Sequence, residues 1–69
     1  MSKRAEAAVA RAGALDRIEA HLTAANQALG NAVRELAEIG EWPPVYPAVS
    51  DTSNAKTLTE AALRAIGRL

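Results

Sequence analysis

Apolar residues recur along the first half of the chain at alternating intervals of three and four. A repeat of seven with apolar first and fourth positions puts one narrow apolar stripe along a helix, and only another helix can bury such a stripe. We call these residues the heptad stripe and predict that they mediate self-association. They are Leu15, Ile18, Leu22, Ala25, Leu29, Ala32, Leu36 and Ile39.

The segment that carries the stripe has the composition of one long helix. Residues 3–39 contain no proline and are rich in alanine, leucine, arginine and glutamate, and Ser2 can serve as the N-cap. Gly13 lies just before the stripe and leaves a break in the helix open at that point. Gly30 lies within the repeat, where we expect a small residue that lets a second helix approach closely.

Two of the four fourth positions in the stripe are alanine, namely Ala25 and Ala32. Small residues in alternate layers permit a close approach, and the positions beside the stripe carry few charges. A long parallel zipper usually has charged pairs there. The pattern therefore favours a helical bundle with antiparallel contacts.

The composition changes abruptly at Gly40, which is placed to cap the end of the long helix. Pro43, Pro44 and Pro47 follow, and proline fixes its own backbone and pushes the preceding residue toward extended geometry. We predict a stiff, non-helical strap over residues 40–53.

The strap contains the only two aromatic residues of the chain, Trp42 and Tyr46. Two interpretations are open. Pro43-Pro44-Val45-Tyr46 resembles the Pro-Pro-x-Tyr motif bound by WW domains, which makes Trp42, Pro43, Pro44 and Tyr46 candidate partner-binding residues. Alternatively, the aromatic rings fold back onto the helices and fill a small core, because a large aromatic side chain buries about 150 to 250 Å².

A second helix is predicted from about residue 57 to 68. Thr57 and Glu60 form a capping-box pattern, although polar residues upstream allow a start near Asn54. We expect the apolar residues of this helix to share one face. These are Leu58, Ala62, Ala65, Ile66 and Leu69, with Leu63 beside them.

A helix this short, folded back through the strap, covers only the second half of the long helix. Leu15, Ile18 and Leu22 would then be exposed, and each large apolar side chain left in water forfeits about 1.5 to 3 kcal/mol. We therefore predict an all-α helical hairpin that forms an antiparallel homodimeric bundle.

Composition limits the size of the core and the ways in which it can be stabilised. The 69 residues form one small domain, 1–69; 17 of the 34 hydrophobic residues are alanine, and cysteine is absent. A core this small normally needs disulfides, a metal site or oligomerisation to be stable, and without cysteine oligomerisation is the one we expect. The formal net charge is zero. Residues 1–17 and 52–69 are basic and residues 18–51 are acidic, which suits antiparallel packing.

Catalytic chemistry finds little support. His21 is the only histidine, and Glu35 and Glu38 lack a second histidine with which to form a metal site. We expect no enzyme activity, no cofactor or metal, and no small-molecule ligand. No segment predicts a membrane span or a signal peptide, so we expect a cytoplasmic protein.

Three functions are compatible with this pattern. The leading hypothesis is a protein-binding module that acts as a homodimer and regulates, adapts or inhibits another protein; short, cysteine-free, alanine-rich chains like this one are common among bacterial and phage accessory proteins. The second is a structural subunit of a larger assembly. The third, nucleic-acid binding, ranks last because it would rest on four scattered cations. They are Lys3, Arg4, Arg11 and Arg17.

Overall fold

Two antiparallel helices joined by a tight turn make up the computed structural model, which describes residues 2–69. Helix α1 spans Lys3–Glu38, a short 3-10 helix spans Pro43–Val45, and helix α2 spans Tyr46–Gly67. No strand occurs within residues 2–69. The prediction of an all-α helical hairpin is confirmed.

Helix α1 begins and ends as its sequence predicts. The Ser2 hydroxyl accepts a hydrogen bond from the Ala5 backbone N–H at 3.2 Å, which satisfies one of the free donors of the first turn. The helix continues unbroken through Gly13. It stops before Gly40, whose φ of 83° lies in the left-handed region that glycine adopts without steric cost.

The strap predicted over residues 40–53 is wrong in its second half, because α2 already begins at Tyr46. Pro47 lies in the first helical turn, where backbone N–H groups have no partner within the helix and a proline costs little. Pro43 and Pro44 likewise lie in the short 3-10 helix. The connection between the helices is therefore a turn of a few residues.

The predicted cap at Thr57 is also wrong, because this residue lies in the middle of α2. Its hydroxyl donates a hydrogen bond to the Ser53 backbone carbonyl at 3.1 Å, one helical turn earlier. Glu60, the other half of the predicted capping box, pairs with Lys56. The side chains of Thr57 and Glu60 therefore make hydrogen bonds within the helix and do not cap its start.

The greater length of α2 changes which part of α1 it covers. Asn26 lies opposite Lys56 and Thr59, so at equal rise per residue the C-terminal end of α2 reaches about the level of Leu15. The prediction that Leu15 and Leu22 are left bare is wrong, since both are half-buried, whereas Ile18 is 43% exposed. Residues 3–13 of α1 extend past the end of α2.

The hairpin is a rod with very little interior. It measures 60 × 15 × 14 Å, and its radius of gyration is 17.2 Å, against about 11 Å for a compact domain of this length. Among residues 2–69, Val45 at the turn is the only buried hydrophobic side chain, at 6% exposure. The contact between the helices is a line of half-buried residues, not an enclosed core.

Three glycines give a test of this backbone by substitution with alanine. A Cβ atom at Gly13 meets only the Arg17 guanidinium at 3.5 Å, so Gly13→Ala should raise the free energy of unfolding by about 1 kcal/mol through helix propensity. At Gly30 the Cβ atom would lie 3.3 Å from Lys56 Cε, which reduces the gain. Gly40→Ala should cost about 1 to 2 kcal/mol because of the positive φ.

Urea unfolding followed by circular dichroism at one protein concentration measures all three effects. Equal changes for Gly13→Ala and Gly30→Ala would contradict a close approach of the helices at Gly30. A neutral Gly40→Ala variant would contradict the left-handed turn.

Candidate interaction surfaces

The heptad stripe divides between two sides of α1. All four leucines at its first positions are half-buried, on the side from which Asn26 reaches α2. Among the fourth positions, Ile18 and Ile39 are 43% and 52% exposed, Ala25 is exposed and Ala32 is half-buried. The leucine half of the stripe is thus used within the chain, and the other half remains largely open.

A polar network fixes the register of the two helices. Asn26 Nδ2 donates hydrogen bonds to the Thr59 hydroxyl at 2.7 Å and to the Lys56 backbone carbonyl at 3.2 Å. The Thr59 hydroxyl in turn donates to the same carbonyl at 2.7 Å. Asn26 lies beside the heptad stripe, at one of the positions that carry few charges. A polar residue beside an apolar seam is a known signal for register, and it could have identified this contact.

An ion pair lies next to this network on α2. Lys56 Nζ donates to Glu60 Oε1 at 2.5 Å, with the two side chains 37% and 42% exposed. The hydrogen bond and the positive charge of Lys56 lower the pKa of Glu60 below its ordinary value. The pair therefore stabilises the fold above the ordinary pKa of glutamate, and this contribution is lost as the pH falls through the lowered pKa.

The exposed half of the stripe and an apolar row of α2 lie on the same side of the hairpin. On α1, each fourth position of the heptad stripe comes four residues before a first position, and the first positions face α2. On α2, Lys56 and Leu63 lie on the side toward α1, and Ala55 and Ala62 come one residue before them. Both offsets are rotations of the same sense at about 100° per residue. Because the helices are antiparallel, such rotations lead to one side of the rod.

We call this side the alanine face. Its central members on both helices are alanine, and larger apolar residues stand toward its ends. Leu58, 69% exposed, borders it on α2, so the apolar residues of the second helix share a face that is only partly packed against α1. The members of the alanine face are Ile18, Ala25, Ala32 and Ile39 on α1 and Ala55, Ala62 and Leu69 on α2.

The turn carries the four residues predicted to bind a partner. Trp42 and Tyr46 are 54% and 53% exposed, and only Val45 between them is buried. Pro43 and Pro44 lie in a 3-10 helix, whereas WW domains recognise an extended polyproline II segment. In this conformation the motif offers two half-exposed rings, and extending it would withdraw Val45 from its contacts.

Charge is distributed unevenly along the rod. The open end, residues 3–17 and 61–69, has six basic side chains and only two acidic ones. The turn end, residues 31–53, has four acidic side chains and one basic one. Folding at the turn brings the two basic ends of the sequence together, so the hairpin is basic at one end and acidic at the other.

Other chemistry is sparse along the described chain. Within residues 2–69, no group of three His, Cys, Asp or Glu side chains is placed to hold a metal ion, and neither helix contains a stretch both long and apolar enough to cross a membrane. A shallow open groove follows one side of α1. It is lined by Asp16, Glu19, Ala20, Thr23, Ala24 and Gln27.

Comparison of the chain with protein-family models, with curated proteins and with solved structures finds no match in any of the three.

The register network predicts a specific loss of stability. Asn26→Ala removes two hydrogen bonds between the helices and should lower the free energy of unfolding by about 1 to 2 kcal/mol. The matched control is Asn54→Ala, at an exposed position of α2, where the better helix propensity of alanine should be neutral or slightly stabilising. Urea unfolding of both variants measures the difference, and equal effects would show that Asn26 does not hold the register.

Proposed function

We propose that this chain is a non-enzymatic protein-interaction module that works as a helical homodimer. The observation that carries the proposal is its surface. The hairpin exposes 5326 Å², against about 4,100 Å² for a typical folded monomer of 7.2 kDa. The excess of about 1,200 Å² is comparable to the area that stable protein interfaces bury.

The exposed area is rich in apolar side chains. Seven large hydrophobic residues are more than two-fifths exposed, whereas Val45 alone is buried among the residues that the structure describes. Covering each of the larger side chains contributes about 1.5 to 3 kcal/mol, which is large for a domain this small. The exposed residues are Val9, Ile18, Ile39, Trp42, Tyr46, Leu58 and Leu69.

The turn end supports binding of a second, different protein. Trp42 and Tyr46 combine large apolar rings with polar tips, a composition that is frequent at the centre of protein interfaces. The prolines beside them limit the conformational entropy that binding would cost. We propose that this end contacts the protein that the homodimer regulates, adapts or inhibits.

Sedimentation of the isolated chain tests self-association. We expect a folded helical species at micromolar concentration with twice the 7.2 kDa mass of the chain. A well-folded monomer would contradict the proposal. A chain that is unfolded by circular dichroism when alone would also contradict it and would favour a structural subunit of a larger assembly.

Affinity capture from the native cell tests the turn end. The chain and its Trp42→Ala variant, each immobilised at equal density, serve as the two baits, and Val9→Ala is the matched control because Val9 is 65% exposed on α1. We expect a protein that binds the chain and the control but binds Trp42→Ala at least tenfold less. Equal capture by all three would show that Trp42 does not contact the partner.

A further inference from the structure

The alanine face is a surface for a second copy of this chain, and we infer that the two rods pair antiparallel, α1 against α1 of the partner. This inference rests on the proposed homodimer and specifies its interface. Three features carry it: the size of the face, its arrangement of small and large residues, and the opposite charges of the two ends.

The face is large enough for a stable dimer. In the register given below, the two rods overlap over about residues 15–42, which is about 40 Å of the 60 Å length; at a width of 15 Å this is about 600 Å² per partner in projection, close to the lower end of the roughly 1,200 Å² in total that specific interfaces bury. The opposite side of the rod bears polar and charged residues, among them Thr23, Gln27 and Arg34. The alanine face carries His21 between Ile18 and Ala25 but is otherwise mainly apolar along α1, so it is the more apolar of the two broad sides of the rod.

Two-fold symmetry leaves two ways of placing one alanine face on another. An axis along the rod puts α1 over α2 of the partner and brings like ends together. An axis across the rod puts α1 over α1 of the partner in the opposite direction and brings each open end beside a turn end. These are the closed isologous solutions for this face.

Charge distinguishes the two solutions. Pairing like ends would place two strongly basic groups of side chains together, and two acidic groups at the other end. Pairing opposite ends places the basic residues nearest the overlap beside the acidic turn end of the partner, at both ends of the dimer; these residues are Arg17, Arg64 and Arg68. Exposed charges about one Debye length apart, roughly 8 Å at physiological salt, interact without complete screening. The antiparallel arrangement is therefore favoured, and more so at low salt.

The spacing of residues sets the register of α1 on its partner. The register that overlaps all four fourth positions of the heptad stripe puts Ile18 against Ile39 of the partner subunit and Ala25 against Ala32 of the partner subunit. Isoleucine pairs then close both ends of the seam, and alanine pairs occupy its middle. Small residues at the middle let the two backbones approach closely, which suits the exposed but nearly flat surface there.

Disulfide trapping tests the direction of pairing, because the chain has no cysteine of its own. Ile18→Cys and Ile39→Cys chains are mixed in equal amounts and oxidised under mild conditions, and Cβ atoms must come within about 4.5 Å to be bridged. We expect a mixed 18-to-39 disulfide to exceed either homodisulfide at least tenfold. A mixture of Ile18→Cys and Leu69→Cys tests the like-ends arrangement, and preferential trapping of that pair would overturn the inference. Thr23→Cys, on the polar side, is the control for random collision.

Substitution of exposed alanines tests the face without relying on oxidation. Ala25→Arg places a long charged side chain in the middle of the seam and should weaken dimerisation at least tenfold in sedimentation. Ala20→Arg, exposed outside the alanine face, is matched in chemistry and should leave the dimer intact. Circular dichroism establishes that both variants are helical. Equal effects of the two substitutions would contradict the assignment of the alanine face as the dimer interface.

Charge reversal tests the orientation a second time. Reversing the turn end with Glu38→Lys and Glu41→Lys should weaken the dimer severalfold at low salt. Adding Arg17→Glu and Arg68→Glu to the same chain reverses the basic residues that this register places beside the partner's turn end, and it should restore affinity because opposite ends are again complementary. Failure of that rescue would contradict the antiparallel arrangement. If the unmodified chain is a monomer, the proposed homodimer fails; if it is a dimer that none of these variants affects as stated, only the face and direction fail.

Discussion

The shortage of buried apolar area is the constraint on which the other features of this molecule depend. Two helices side by side share a single line of contact, and half of the hydrophobic residues here are alanine, which brings little area to that line. Val45 alone is buried among the residues that the structure describes. The hairpin therefore has a defined shape but a small reserve of stability, and apolar residues at its surface are the natural source of more.

Because so few apolar side chains are buried, polar contacts do more to determine the register in which the two helices pair. A line of leucines against threonine, serine and valine would tolerate a shift of one turn at little cost in area. The Asn26 network does not tolerate it, because a shift would remove both hydrogen bonds to α2. One asparagine thus sets the register of the hairpin, and through it the composition of the side that is left open.

Helix α1 could be predicted almost completely, because periodicity, helix propensity and the Ser2 cap all agree over its length. The first half of α2 could not. Pro47 and the run of serine, aspartate, threonine and asparagine after it are typical of loops, and their helix propensity is low. They are helical in the hairpin, where Val49, Thr52 and Ser53 are half-buried along α1. Tertiary contact outweighs local preference here. The same limit applies to the heptad stripe: periodicity puts its residues along one side of α1, but it does not say which neighbour covers each of them.

The unequal lengths of the helices have a consequence for motion. Residues 3–13 of α1 have no part of α2 beside them, so their helical state depends on the Ser2 cap, on alanine content and on continuity with the rest of α1. Isolated helical segments of this length are marginal in water. Amide protons along α1 should accordingly exchange with solvent in a gradient, fast near Ser2 and slow around Asn26. Because that segment can fray without separating the helices, the chain has two levels of stability within a single unbroken helix.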